Sequence, residues 1–222
     1  MPAKKFYSEL LEYLATERNG SDDPDRIPSL DDLSQKMGIS QSKLREQLEA
    51  AKTLGLVEAR PRTGIRRIPY SFAPAATQSL LYAIATDPGY FRQFADLRIQ
   101  LEASFWHAAV DRLTLEDRDR LQNLLNRALE KLNGDPITIP HGEHRELHMA
   151  IFSRLDNPFV LGLLEAYWTA YEAVELNSYA DLAYLREVWE YHGRIVEAIR
   201  SGDSRLGLEI YLDHTRLLRI RK

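Results

Sequence analysis

Three histidines in this chain pair a metal-ligating side chain with an inward-facing position. His148 shares a helical stripe with Ile151 and Leu155, His192 with Val188, Ile195 and Ile199, and His214 with Ile210, Leu217 and Leu218. Each stripe belongs to a different segment, so helical spacing turns three imidazoles toward one interior. His144 lies one turn before His148, and an i, i+4 pair on one helix can chelate a single ion. Arg98 joins them, because Arg98, Leu101, Phe105 and Ala108 form one face, and a guanidinium turned into a helical core needs a buried anionic partner. A solitary inward histidine is more often a hydrogen-bonded core residue, and Arg98 could equally serve a structural ion pair. Spacing alone therefore leaves both readings open. Trp106, Tyr167, Trp168, Tyr171 and Trp189 read as core or dimer-interface residues rather than as a cavity wall, and His107 and His141 as surface or loop positions.

Composition limits what could position these groups. The 222 residues are 44% hydrophobic and 28% charged, which suits one or two globular domains that fold without staples. With no cysteine, a disulfide scaffold, a thiolate nucleophile and Cys-type zinc or iron–sulfur sites are excluded, and a reducing compartment is favoured. No apolar run approaches the ~18 to 20 residues that span a bilayer, and the N-terminus lacks a signal-peptide pattern, so the expectation is a cytoplasmic protein with no membrane partner. The net charge of -4 argues against nucleic acid only on average. Residues 40–68 hold seven basic side chains (Lys43, Arg45, Lys52, Arg60, Arg62, Arg66, Arg67) against three acidic ones (Glu46, Glu49, Glu58). That is a local electrostatic footprint which the global charge conceals.

The N-terminal periodicity reads as three helices and a hairpin. Phe6, Leu10, Leu11 and Leu14 mark the first helix; Ser29 caps a second, stopped at Gly38; Ser40 caps a third, from Gln41 to about Leu54, stopped at Gly55. Leu56 to Arg60 and Ile65 to Ile68 form two short strands around a Pro-Arg-Thr-Gly turn. Two helices joined by a tight turn and followed by a basic-tipped hairpin describe a winged helix-turn-helix. Its candidate DNA contacts are Gln41, Ser42, Lys43 and Arg45 on the third helix, and Arg60, Arg62, Thr63 and Arg66, with Arg67 as a further candidate, on the wing. The proline-bracketed stretch from Pro69 to Pro74 is the expected boundary between a DNA-binding domain, 1–72, and a C-terminal domain, 73–222. Beyond it six or seven helices are expected, the clearest carrying Leu121, Leu124, Leu125, Ala128, Leu129 and Leu132. The fold class is therefore mainly α.

The stretch from Pro28 to Leu48, continuing to Leu54-Gly-Leu-Val57, resembles the DNA-binding domain of the GntR family of bacterial transcription regulators. The C-terminal part resembles the FCD effector domain of the FadR-like subfamily. Arg98-Ile-Gln-Leu-Glu102 is similar to its opening motif, Leu147-His148 with Asn157-Pro158 to its second, and His192-Gly-Arg-Ile-Val-Glu-Ala-Ile199 with Gly202-Asp203, then His214, to its last two. The resemblance implies a homodimeric repressor or activator that binds a palindromic double-stranded DNA operator. It also implies a divalent metal held by three histidines and one acidic residue, with a small organic acid effector reaching the metal and an arginine. Carried over by position, the ligands are His148, His192 and His214, and the effector arginine is Arg98. The family's aspartate four residues before the first histidine is His144 here, while Glu143 lies about 100° away on the helix. Either His144 takes the carboxylate's place or three protein ligands remain. An all-imidazole shell suits zinc, with nickel or copper as alternatives, better than manganese or magnesium. Gln41 stands where the family usually has arginine, and glutamine can read adenine where arginine favours guanine. Two rival readings stay open: a metal-free regulator sensing a larger acyl ligand, and a metal-dependent hydrolase.

Overall fold

The computed structural model describes residues 8–17, 23–60, 63–175 and 181–220. The chain is mainly α and divides into two compact units, Met1–Gln78 and Ser79–Lys222. In the first, α1 (Glu9–Thr16), α2 (Leu30–Met37) and α3 (Gln41–Thr53) accompany β1 (Arg26–Ile27), β2 (Val57–Arg60) and β3 (Gly64–Arg67). Side-chain caps start each helix: Ser8 accepts from the Leu11 amide, Ser29 from Asp32 and Ser40 from Lys43, contacts typically worth about 1 kcal/mol each. Gly38 ends α2 in the left-handed region at φ 68°, which lets the cap of α3, Ser40, follow two residues later. Leu10, Leu33, Leu44, Leu48, Ala51 and Val57 form the buried core under these elements. Gln47 adds a polar staple, accepting from Ser8 Oγ at 3.0 Å and the Leu10 amide at 2.9 Å, and so locks α1 across α3. Phe6, expected on the first helix, lies outside the described residues.

The two expected strands form the wing, and a third joins them. β1 pairs antiparallel with β3 through Arg26↔Arg66 and Ile27↔Ile65, giving the order β1-β3-β2. A two-residue strand carries no alternation that a sequence pattern could register. Its position is fixed by Ile27, which is buried in the core.

The second unit is a helical bundle. Helix α4 (Ala73–Thr86) begins in the first unit, and α5 (Gly89–Val110), α6 (Leu115–Asn133), α7 (His141–Ile151), α8 (Pro158–Glu175), α9 (Leu182–Arg200) and α10 (Ser204–Ile220) follow. Seven helices thus occupy the stretch where six or seven were expected, among the described residues. Thr114 and Asp117 form a capping box at the start of α6, and Arg154 anchors on Asp117 at 2.8 Å. Helix α6 packs on α7 and α9, α10 on α9 and α5, and α8 on α5 and α7. Trp106, Leu121, Leu124, Leu147, Phe152, Val196, Ile199 and Tyr211 fill the centre, each essentially without solvent contact. This closed layer holds α5, α7, α9 and α10 with their histidine and arginine faces turned to one another.

Candidate functional site

Four histidines converge. His144 and His148 come from α7, His192 from α9 and His214 from α10, and one ligand nitrogen from each lies within 4.8 Å of every other. His148, His192 and His214 are buried, and His144 is half-buried. The Nε2 atoms of His148 and His192 stand 3.1 Å apart. An ion about 2.0–2.1 Å from each imidazole nitrogen sets neighbouring ligands about 3.0 to 3.4 Å apart, so the widest pair must close by about 1.4 to 1.8 Å at most to hold one ion. Burial and the neighbouring rings and Arg98 hold all four imidazoles below the ordinary histidine value of 6.5, His214 down to about 3. All four are therefore neutral near pH 7, the form that ligates metal.

Arg98 lies against this cluster. Its Nη2 is 2.9 Å from His148 Nδ1 and 3.0 Å from a Glu102 oxygen, and its guanidinium lies 4.5 Å above the Tyr167 ring and 4.6 Å above Trp168. Both charges of the pair are buried, at 4% and 0% exposure. Burial alone would neutralise Glu102, but Arg98 and His148 outweigh it and hold the carboxyl down at about 2; Glu102 in turn keeps Arg98 charged. Tyr211 donates its hydroxyl hydrogen to the same carboxylate. Eight buried side-chain nitrogens and oxygens lack a hydrogen-bond partner among the described residues, and six of them surround this site: Arg98 Nε, Glu102 Oε1, His144 Nε2, Trp168 Nε1, His192 Nδ1 and His214 Nδ1. Buried polar atoms are nearly always paired, so this concentration fits a centre completed by a metal and a polar ligand.

Tyr167, Trp168 and Trp189 are buried, as the core reading expected, and aromatic rings also border the cluster. Trp168, Tyr171 and Trp189 wall the cluster, with ring centroids 4.8, 5.9 and 6.0 Å from that of His144. Tyr167 and Trp168 carry the Arg98 guanidinium, whereas Trp106 is core as expected. Helical stripes record which side chains turn inward but not which of them meet. Glu143 points away from the histidines and binds Lys131 at 2.8 Å. His107 is exposed on α5 and bonds Ser204 Oγ at 2.7 Å, while His141 is the half-buried first residue of α7 rather than a loop residue.

The N-terminal unit gathers its polar side chains on α3 and the wing. Ser42, Lys43 and Arg45 are exposed on α3. Lys43 pairs with Glu9, the Gln41 amide donates to Asp31, and Arg45 Nη2 donates to Gln41 Oε1 at 3.2 Å. On the wing, Arg60 pairs with Glu58 at 2.8 Å, and the Thr63 hydroxyl donates to the Arg60 carbonyl at 3.4 Å. Arg66 binds Asp23 at 2.5 and 3.0 Å, and Arg67 donates to the Glu17 and Pro24 carbonyls. Arg62 lies outside the described residues.

Comparison with known proteins decides which family owns this geometry. The FCD domain family matches residues 93–216. The chain belongs to the FCD-domain family. A Bacillus subtilis protein, HTH-type transcriptional regulator LutR, is 24% identical over 195 residues, covering 84% of this chain and 87% of its own. An Escherichia coli protein assigned as a regulator of the L-lactate dehydrogenase operon is 25% identical over 188 residues, 81% of this chain and 70% of that protein. The solved structure of Streptococcus agalactiae GntR shares the fold, with a TM-score of 0.67, 18% identity and 96% coverage of both chains.

Two residues of this FCD-domain regulator escaped assignment to a site: Glu102 and Tyr211. Glu102 had a signal, because it stands one helical turn from Arg98 on the same face. Tyr211 had none, since an aromatic residue on an apolar stripe reads as packing.

Proposed function

We propose that this regulator binds an operator through its N-terminal winged helix, residues 1–72, and senses a small organic acid at a metal centre in residues 73–222, acting as a homodimer in the cytoplasm. The partnerless polar atoms around four neutral imidazoles carry the reading. His144, His148, His192 and His214 would hold a divalent ion, with zinc favoured by the all-nitrogen donor set and nickel next. When bound, the ion supplies a Lewis-acid position for a carboxylate. Arg98 supplies a fixed cationic fork beside it, and Trp168 Nε1 adds a buried donor without a partner. Buried Trp168 and Trp189 crowd the cluster, which favours a short acid over a long acyl chain. The name of the E. coli relative makes L-lactate the natural first probe.

On the DNA side, α3 would enter the major groove, with Gln41, Ser42, Lys43 and Arg45 toward base edges and phosphates. The wing residues Arg60, Arg62, Thr63 and Arg66 would hold the backbone. Two copies would place their recognition helices about one turn, ~34 Å, apart on a palindromic site. Control of DNA binding requires the acid to bind DNA-competent and DNA-incompetent states with different affinity, by about 1–3 kcal/mol.

Native mass spectrometry and metal analysis of the full chain, purified without chelator and then offered zinc, test the reading. One zinc per chain, and an added mass on offering L-lactate or another short acid, are expected. A chain that takes up no stoichiometric metal after repletion refutes it.

A further inference from the structure

The contacts of His148 define its tautomer. Arginine has no lone pair to offer, so the 2.9 Å contact between Arg98 Nη2 and His148 Nδ1 is a bond in which Nδ1 accepts. A neutral imidazole that accepts at Nδ1 carries its hydrogen on Nε2. That hydrogen then fills the 3.1 Å contact to His192 Nε2. In this arrangement the His148 nitrogen facing the other histidines is a donor, and its lone pair is not available to an ion. Glu102 Oε1 meanwhile lies 3.7 Å from His148 Nδ1 with no hydrogen-bond partner.

We propose that Glu102 is the positioning residue that turns His148 into a ligand, and that this exchange frees Arg98 to bind the effector. The inference rests on the metal reading above. Coordination through His148 Nε2 requires the hydrogen to sit on Nδ1. One proton leaves Nε2 for solvent and one returns to Nδ1, so the ring stays neutral and the exchange is balanced. The new Nδ1–H faces the waiting Glu102 Oε1, giving the carboxylate–histidine–metal arrangement that fixes ring orientation and raises ligand basicity. The same hydrogen excludes the Arg98 contact, because two donors cannot face each other across 2.9 Å. Arg98 keeps Glu102 Oε2 and its aromatic platform, and a freed Nη2 N–H joins the Nε–H that already lacks a partner. Metal and carboxylate then favour one another reciprocally, as linkage demands. Tyr211 steadies the carboxylate by donating to Oε2, the oxygen that Arg98 also holds.

Histidine ¹⁵N NMR of the intact wild-type chain tests this without any substitution. In chelator-treated protein His148 should show the Nε2–H tautomer, and on zinc addition the Nδ1–H tautomer. An Nδ1–H tautomer already present in the metal-free protein overturns the proposal, as does an unchanged Nε2–H tautomer in zinc-loaded protein. Failure of zinc to bind at all overturns the metal reading and this inference with it, so the two failures are distinguishable. A second measurement compares zinc affinity by chelator competition. Glu102→Gln should weaken zinc about 10- to 100-fold, and Tyr211→Phe only a few-fold. A folded Glu102→Gln protein with wild-type zinc affinity refutes the positioning role, and if that variant does not fold the tautomer measurement decides.

Discussion

Zinc should raise the thermal stability of the metal-depleted protein by an amount that can be worked out beforehand. The four ligand nitrogens already lie within 4.8 Å of one another, and all four rings are neutral, so binding needs neither a large rearrangement nor loss of histidine protons at pH 7.5. The lower end of structural zinc affinities, about 10 kcal/mol, corresponds to a Kd of some tens of nanomolar. About 50 μM free zinc is then roughly a thousandfold excess, which stabilises the folded state by about 4 kcal/mol. For a cooperative unit of this size each kcal/mol moves Tm by about 2–4 °C, so the melting point should rise by about 8–16 °C. Scanning calorimetry of chelator-treated protein, with and without zinc at pH 7.5, measures it. His192→Ala removes a ligand with no solvent exposure and should abolish most of the rise. A wild-type rise below about 2 °C, or an equal rise in the folded His192→Ala protein, would refute the assignment of these residues to one metal centre.

Further outcomes concern pH, the recognition helix and packing. Burial holds the four histidines below 6.5, and His214 near 3, so the unfolded chain takes up protons in a range where the folded chain does not. Metal-free stability should therefore be complete above pH 6.5 and fall toward pH 3, with each histidine contributing up to about 1.4 kcal/mol per pH unit. Urea midpoints that stay flat or rise from pH 7 to pH 5 would contradict this. Arg45→Ala should weaken specific operator binding by about 1–3 kcal/mol at matched salt, read by fluorescence anisotropy; wild-type affinity would remove α3 from the reading role. Gly207→Ala would set a Cβ 3.1 Å from the Trp106 ring, which is pinned by a 2.9 Å bond to the Ser204 carbonyl and stacked on Tyr211. The overpacking should outweigh the roughly 1 kcal/mol gained in helix propensity, leaving a net loss of about 1 kcal/mol by denaturant titration.

The periodic parts of this molecule were legible in the sequence because they are local. Ser29 and Ser40 announce their helices, since a cap needs only the next few residues, and Gly38 stops α2 because the left-handed turn there disfavours other side chains. Inward stripes likewise told that His148, His192 and His214 face a core. They could not tell that the three rings face one another, because that depends on how α7, α9 and α10 are rotated and spaced by Leu147, Val196 and Ile199 packing between them. The same limit hid the aromatic wall of Trp168, Tyr171 and Trp189.

Residue order alone sets element types, the cysteine-free donor set, the basic strip at residues 40–68, the inward direction of three histidines and Arg98, and the place of His144 one turn from His148. Only tertiary structure decided which donors converge, that Glu143 turns away to Lys131 while Glu102 turns in to Arg98, and that Tyr211, over a hundred residues distant, completes that pair. The physical reason is range. Caps and stripes are set by neighbours within a turn or two, whereas a coordination sphere a few ångströms wide is set by the closure of the whole bundle.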